Sequence, residues 1–141
     1  MQANLTPPTK RQLLELLAHS LSAHYADFSA AAASAGLTAM QAKTLTVLRG
    51  TPTSMRSLAD TLTCDASNVT GIIDRLEKRD LVRREVSPTD RRVKHLLLTE
   101  AGEKAIDIIR ERMEQVQAGL DRLSGEERNE LFRLLTAVFP P

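Results

Sequence analysis

LADTLTCDASNVTGIIDRLEKRDLVRREVSPTDRRVKHLLLT, residues Leu58 to Thr99, decides the fold. Its spacing predicts a short helix, a tight turn, an amphipathic helix and two strands joined by an arginine-tipped loop. In the second helix Val69, Ile72, Ile73 and Leu76 follow the i, i+3, i+4, i+7 rule and mark a buried stripe. The opposite face carries Ser67, Gly71, Asp74 and Lys78, with Asn68, Thr70 and Arg75 on its flanks, and Asp65 is placed to cap the first turn. In the hairpin Val82, Arg84 and Val86 alternate on one strand and Val93, His95 and Leu97 on the other, with Ser87 to Arg92 as the tip. Pro88 stiffens that tip, and Asp90 is expected to accept an ion pair from the Arg92 guanidinium and hold it extended.

Short hydrogen-bonding side chains at a helix N-terminus let the helix end approach base edges in a major groove, where Asn pairs with adenine and Arg with guanine or phosphate. An arginine at a hairpin tip suits a narrow A·T-rich minor groove, where the negative potential is strongest, so Arg92 is expected there and Arg91 on phosphate. Either feature alone is ambiguous, since Ser, Asn and Thr also act as caps and an Asp–Arg pair is also an ordinary surface contact. Side by side they predict sequence-specific binding to double-stranded DNA.

Charge agrees with this. The net value is only +1, but residues Gly36 to Thr99 hold 11 Lys and Arg against 7 Asp and Glu, whereas Glu100 to Pro141 hold 6 against 9. Attraction for phosphate is therefore concentrated in the segment that carries the motif.

Outward from this centre the chain reads as helix. Pro7, Pro8 and Thr9 precede a long helical pattern with Leu13, Leu14, Leu16, Leu17 and Leu21 on one broad face, continuing through an Ala-rich run to about Ala35, where Gly36 stops it. Thr38 with Gln41 forms a capping box for a helix to Gly50, and Thr53 or Ser54 caps the short helix through Met55, Leu58, Ala59 and Leu62. Beyond the hairpin, Thr99 caps a long helix with Glu100 and Glu103 in its first turn, and Ser124 with Glu127 opens a last helix that ends before Pro140. The terminal helices carry more apolar surface than one small domain would cover. A twofold homodimer with an interface above about 2,000 Å² is expected to bury it.

Hydrophobic content of 42% and 26% charged residues suit one globular unit, while 3% aromatic and no Trp leave little for an aromatic cofactor cage. One cysteine, no CxxC and no Cys/His cluster exclude a disulfide framework and a structural zinc site and fit a reducing cytoplasm. The N-terminal residues lack the apolar core of a signal peptide and no run of 18 apolar residues occurs, so no membrane partner is expected. No nucleophile and base pair, Gly-rich phosphate loop or metal constellation points to an enzyme, and neither a cofactor nor a metal is expected.

LTAMQAKTLTVLRG, SLADTLTCDASNVTGIIDRLEKRDLVRR and SPTDRRVKHLLLTEAGEKA closely resemble the MarR family of bacterial winged-helix transcription regulators. The resemblance covers about Leu37 to Ala105, most specifically NVTGIIDRLE and the DRR wing followed by LLLTEAG. It implies a homodimer whose paired wings and recognition helices read a pseudo-palindromic operator, and release by a small molecule, commonly phenolic, or by an oxidant. By position it puts Ser67, Asn68, Thr70 and Arg75 on bases and phosphates, Ser57 on phosphate, and Asp90 with Arg92 on the wing. Two departures stand out: Gly71 where many members carry arginine, and Asp80 where most close the recognition helix with glycine. Asp80 tolerates the left-handed turn at about 1 kcal/mol.

The expected fold is thus mainly α with a small β-hairpin wing, a winged helix-turn-helix over 37–99 with dimerisation helices at 9–35 and 100–139, all in a single protomer of 1–141. The expected function is that of a ligand-responsive repressor; the alternative is a winged-helix module whose basic wing meets an acidic protein. Cys64, in the apolar position of its turn, is expected to pack as a small hydrophobe. Tyr25 and Phe28 are candidates either for packing or for lining an effector pocket.

Overall fold

The computed structural model of the chain describes residues 6–64 and 66–141. Helix α1 (Lys10–Ser34) leads through a turn into α2 (Ala39–Leu48), then β1 (Thr53–Ser54), α3 (Met55–Leu62) and α4 (Ala66–Lys78). Strands β2 (Val82–Val86) and β3 (Lys94–Leu98) form the wing, followed by α5 (Glu100–Val116), the short α6 (Ala118–Asp121) and α7 (Gly125–Val138). The fold class is the one the sequence predicts, mainly helical with a small antiparallel wing.

Helix starts follow local chemistry. Thr38 accepts from the Gln41 amide while the Gln41 side chain accepts from the Thr38 amide, and Ser124 with Glu127 makes the same reciprocal pair. Thr9 and Gln12 form a third capping box that opens α1. Ser54, rather than Thr53, caps α3, and Thr99 caps α5 by accepting from the Gly102 amide at 3.1 Å. The chain turns through left-handed residues at Gly36 (φ 70°), Thr63 (φ 55°) and Asp80 (φ 56°), so Asp80 adopts the conformation that glycine would take at lower cost.

Two features differ from expectation. The sheet has three strands in the order β1-β3-β2, because Thr53 and Ser54 pair with Leu96 and His95. A strand of two residues has no periodicity to read. On β3 the fully buried residue is Leu96, which faces Arg84 across the ladder, and not a member of the Val93, His95, Leu97 set. Three consecutive leucines, Leu96 to Leu98, conceal the alternation that would have fixed the inward phase.

The core lies beneath the wing and the helices that flank it. Leu45 of α2, Leu58 of α3, Val69, Ile73 and Leu76 of α4, Val82 of β2, Leu96 of β3 and Ile106 of α5 are each essentially inaccessible. One residue or more from every major element except α7 thus meets in one cluster, to which Ala31 and Ala32 bring the end of α1. Cys64 and the half-buried Ile72 pack against its edge. Arg49, at the end of α2, binds Glu103 at 3.2 Å and Asp107 at 2.7 Å on α5, and Gln117 donates to Asp27 of α1 at 2.9 Å. By contrast, Leu13, Leu14, Leu16, Leu21, Phe132, Leu134, Leu135, Val138 and Phe139 remain exposed in the single chain.

Candidate nucleic-acid interface

The candidate interface is assembled from three successive elements packed on one another: α3 against α4, and α4 against β2. Val69, Ile73 and Leu76 are completely buried and fix the rotation of α4 about its axis. That rotation leaves Ser67, Asn68, Thr70 and Arg75 exposed. The proposed cap at Asp65 lies outside the described residues. Between the exposed polar residues sits Gly71, where an added Cβ would meet nothing within 4 Å. The place that arginine takes in many members of the resembling family is therefore open space here.

Ser57 is exposed at the start of α3, and its hydroxyl lies 3.0 Å from that of Ser54, the cap of the same helix. The Ser57 amide donates to the Ser54 hydroxyl at 3.1 Å, and the exposed Ser57 hydroxyl has the chemistry to donate to a phosphate.

The wing tip is a set of interlocked turns. Ser87 is buried; its amide donates to the Val93 carbonyl at 2.8 Å, and its hydroxyl accepts from the Thr89 and Asp90 amides at 3.3 and 3.4 Å. Val93 in turn donates to the Asp90 carbonyl at 3.0 Å. Asp90, Arg91 and Arg92 project from this frame and are exposed. Here the structure corrects the sequence reading: Asp90 Oδ1 accepts from the backbone amide of Arg92 at 3.0 Å, and among the described residues no ion pair joins the two side chains. Asp90 organises the backbone beneath Arg92 and leaves the guanidinium to solvent.

Some other cations of the basic segment are engaged within the protein. Arg79 donates to the Gly36 and Ala35 carbonyls at 2.6 and 3.4 Å, placing positive charge at the C-terminus of α1. Arg84 pairs with Asp74 at 2.6 Å and Glu77 at 3.2 Å, and Arg83 with Glu85 at 3.0 Å. Asp74, expected on the open face of α4, is thereby drawn towards the wing. Sequence reasoning placed Arg84 only as a strand position, because nothing local signals partners ten and seven residues away on another element. Arg75, Arg91 and Arg92 are left as the cations with exposed side chains at expected contact positions.

A family model for the MarR family matches residues 37–94, which span α2 to the wing. The HTH-type transcriptional repressor NicR of Pseudomonas putida is 32% identical over 126 residues, covering 88% of this chain and 80% of that protein. A solved structure of Bordetella bronchiseptica BpsR, whose DNA binding is regulated by 6-hydroxynicotinic acid, superposes with a TM-score of 0.70 at 27% identity, covering 96% of this chain and 99% of that one. Apo MarR from E. coli has the same fold, with a TM-score of 0.73 at 24% identity over 97% of this chain and 100% of that one. Among the described residues no helix is long and apolar enough to cross a membrane. From these likenesses and the winged-helix geometry that they share, the chain belongs to the MarR family of DNA-binding transcription regulators, which are not enzymes.

Proposed function

We propose that the chain is a cytoplasmic repressor that binds a pseudo-palindromic operator in double-stranded DNA as a homodimer and is released by a small phenolic-type effector. The observation that carries this reading is the shared core beneath α4 and the wing. It exposes Ser67, Asn68, Thr70 and Arg75 on the helix and Arg91 and Arg92 on the tip, with Ser57 at the adjoining helix start. Residues 37–99 act as the DNA-binding part. Residues 9–35 and 100–139 act as the dimerisation part, since many of their apolar side chains, Leu13, Leu14, Leu21, Leu134, Leu135 and Phe139 among them, are exposed in one chain.

An effector cleft of about 470 Å³ lies between α1 and α2, lined by Leu21, His24, Tyr25, Phe28, Met40 and Lys43. Its rings suit a flat aromatic molecule, and Lys43 offers charge to a phenolate or carboxylate. The hydroxylated aromatic acid that regulates BpsR is of this class. Such a molecule acts only through a difference in affinity between two dimer geometries, one of which matches successive turns of DNA.

Selection of bound sites from a random duplex pool, followed by titration of the recovered site and a shuffled duplex at fixed salt, tests the reading. A recovered inverted repeat with a strong preference over the shuffled control is expected. A monomer at micromolar concentration that is indifferent to every duplex at low salt would refute it.

A further inference from the structure

Asp74 and Glu77, the acidic side chains of α4, share one guanidinium. Arg84, in the middle of β2, reaches Asp74 Oδ1 through Nη2 at 2.6 Å and Glu77 Oε2 through Nη1 at 3.2 Å. It stands opposite the buried Leu96 in the ladder, and its side chain is 29% exposed against 48% and 40% for its two partners. Residues three apart on a helix lie along one stripe, so the planar fork spans a turn of α4 and contacts it at two points, by a hydrogen bond to Asp74 and an ion pair with Glu77. Two contacts from one rigid plane constrain an angle as well as a distance, which a single ammonium does not do.

The elements joined in this way are the two that reach for DNA. Helix α4 carries Ser67, Asn68 and Thr70 towards one groove, and β2 runs directly into the tip that carries Arg91 and Arg92. Non-specific attraction needs only positive charge near phosphate and tolerates a range of orientations, whereas base reading needs both elements in register together. We propose that Arg84 is a positioning residue for sequence discrimination, setting the angle between recognition helix and wing. The inference rests on the proposed DNA-binding reading and extends it to a side chain whose guanidinium is already engaged within the protein.

Simple charge neutralisation is the competing account, and two variants of opposite charge separate the two. Arg84→Gln removes one positive charge; the double variant Asp74→Ala, Glu77→Ala removes two negative ones together with both acceptors. Neutralisation alone weakens all binding in the first and tightens all binding in the second, leaving the ratio between duplexes unchanged. A positioning role lowers the affinity ratio of the selected site over a shuffled duplex in both, by about tenfold or more. Arg84→Lys, which keeps the charge but not the fork, is expected to lower the ratio as well.

Each variant is titrated at fixed salt after its thermal melt shows it folded at the assay temperature. Should Arg84→Gln fail to fold, the double variant decides, since alanine favours the helix and both positions are partly exposed. A folded variant that breaks both ion pairs yet keeps the wild-type ratio within about twofold overturns the proposal and leaves the DNA-binding reading intact. A wild-type protein without preference for any duplex overturns both.

Discussion

Alanine at two helical glycines should act with opposite sign. Gly71 lies in the middle of α4 and Gly102 in the first turn of α5. A Cβ at 71 meets nothing within 4 Å, so Gly71→Ala recovers backbone entropy and is expected to stabilise the protein by about 0.5–1 kcal/mol. A Cβ at 102 would overlap the Leu81 carbonyl oxygen and press on Leu98 Cδ2 at 3.2 Å. Helix α5 must then lift from the start of β2. The hydrogen bonds broken are those from the Thr99 amide to the Leu81 carbonyl at 3.2 Å and from the Thr99 hydroxyl to the Asp80 carbonyl at 2.5 Å. Each is worth about 1 kcal/mol, and forced overpacking adds about 1–3 kcal/mol. After crediting the propensity gain of at most about 1 kcal/mol, Gly102→Ala should cost about 2–4 kcal/mol.

Urea unfolding at one fixed protomer concentration measures both, with the midpoint read at unchanged slope. A Gly102→Ala protein at least as stable as wild type would refute the close approach of α5 to Leu81. A destabilised Gly71→Ala protein would refute the open space above α4.

Arg92→Ala should weaken operator binding by about 1–3 kcal/mol, checked by titration of labelled duplex at constant salt; unchanged affinity would remove the wing tip from the interface. Asp90→Asn keeps an acceptor for the Arg92 amide and should hold or raise affinity in the same titration, whereas Asp90→Ala loosens the tip and should lower it. Leu135→Asp places a charge on the uncovered face of α7 and should shift sedimentation from dimer to monomer while far-ultraviolet dichroism stays unchanged. Leu96→Ala opens a cavity beneath the wing and should cost about 2–5 kcal/mol in urea unfolding.

What could be read from the chain alone was what is encoded within a few residues. The Thr38 and Ser124 capping boxes, the Thr99 cap, the stop at Gly36 and the stripe of Val69, Ile73 and Leu76 all have their partners within one or two helical turns. Contacts across long separations were hidden. Arg79 finds its acceptors 43 and 44 residues upstream, and Arg49 meets Asp107 across 58 residues. The break between α5 and α6 falls at Gln117, which carries none of the glycine or proline punctuation that marks an end. At the wing the Asp90–Arg92 spacing was legible, but spacing does not tell a backbone donor from a side-chain donor two residues away.

The bond between Arg79 and the end of α1 makes α4 a lever. From Arg79 to Asn68 is a rise of about 16 Å at helical pitch, so a tilt of about 10° at the anchored end swings the far tip by about 3 Å. That is the length of a hydrogen bond. Val69, fully buried beside Asn68, would move almost as far, so a tilt of this size must carry the core beneath α4 with it, and on the proposed DNA-binding reading it takes Ser67 and Asn68 out of reach of a base edge.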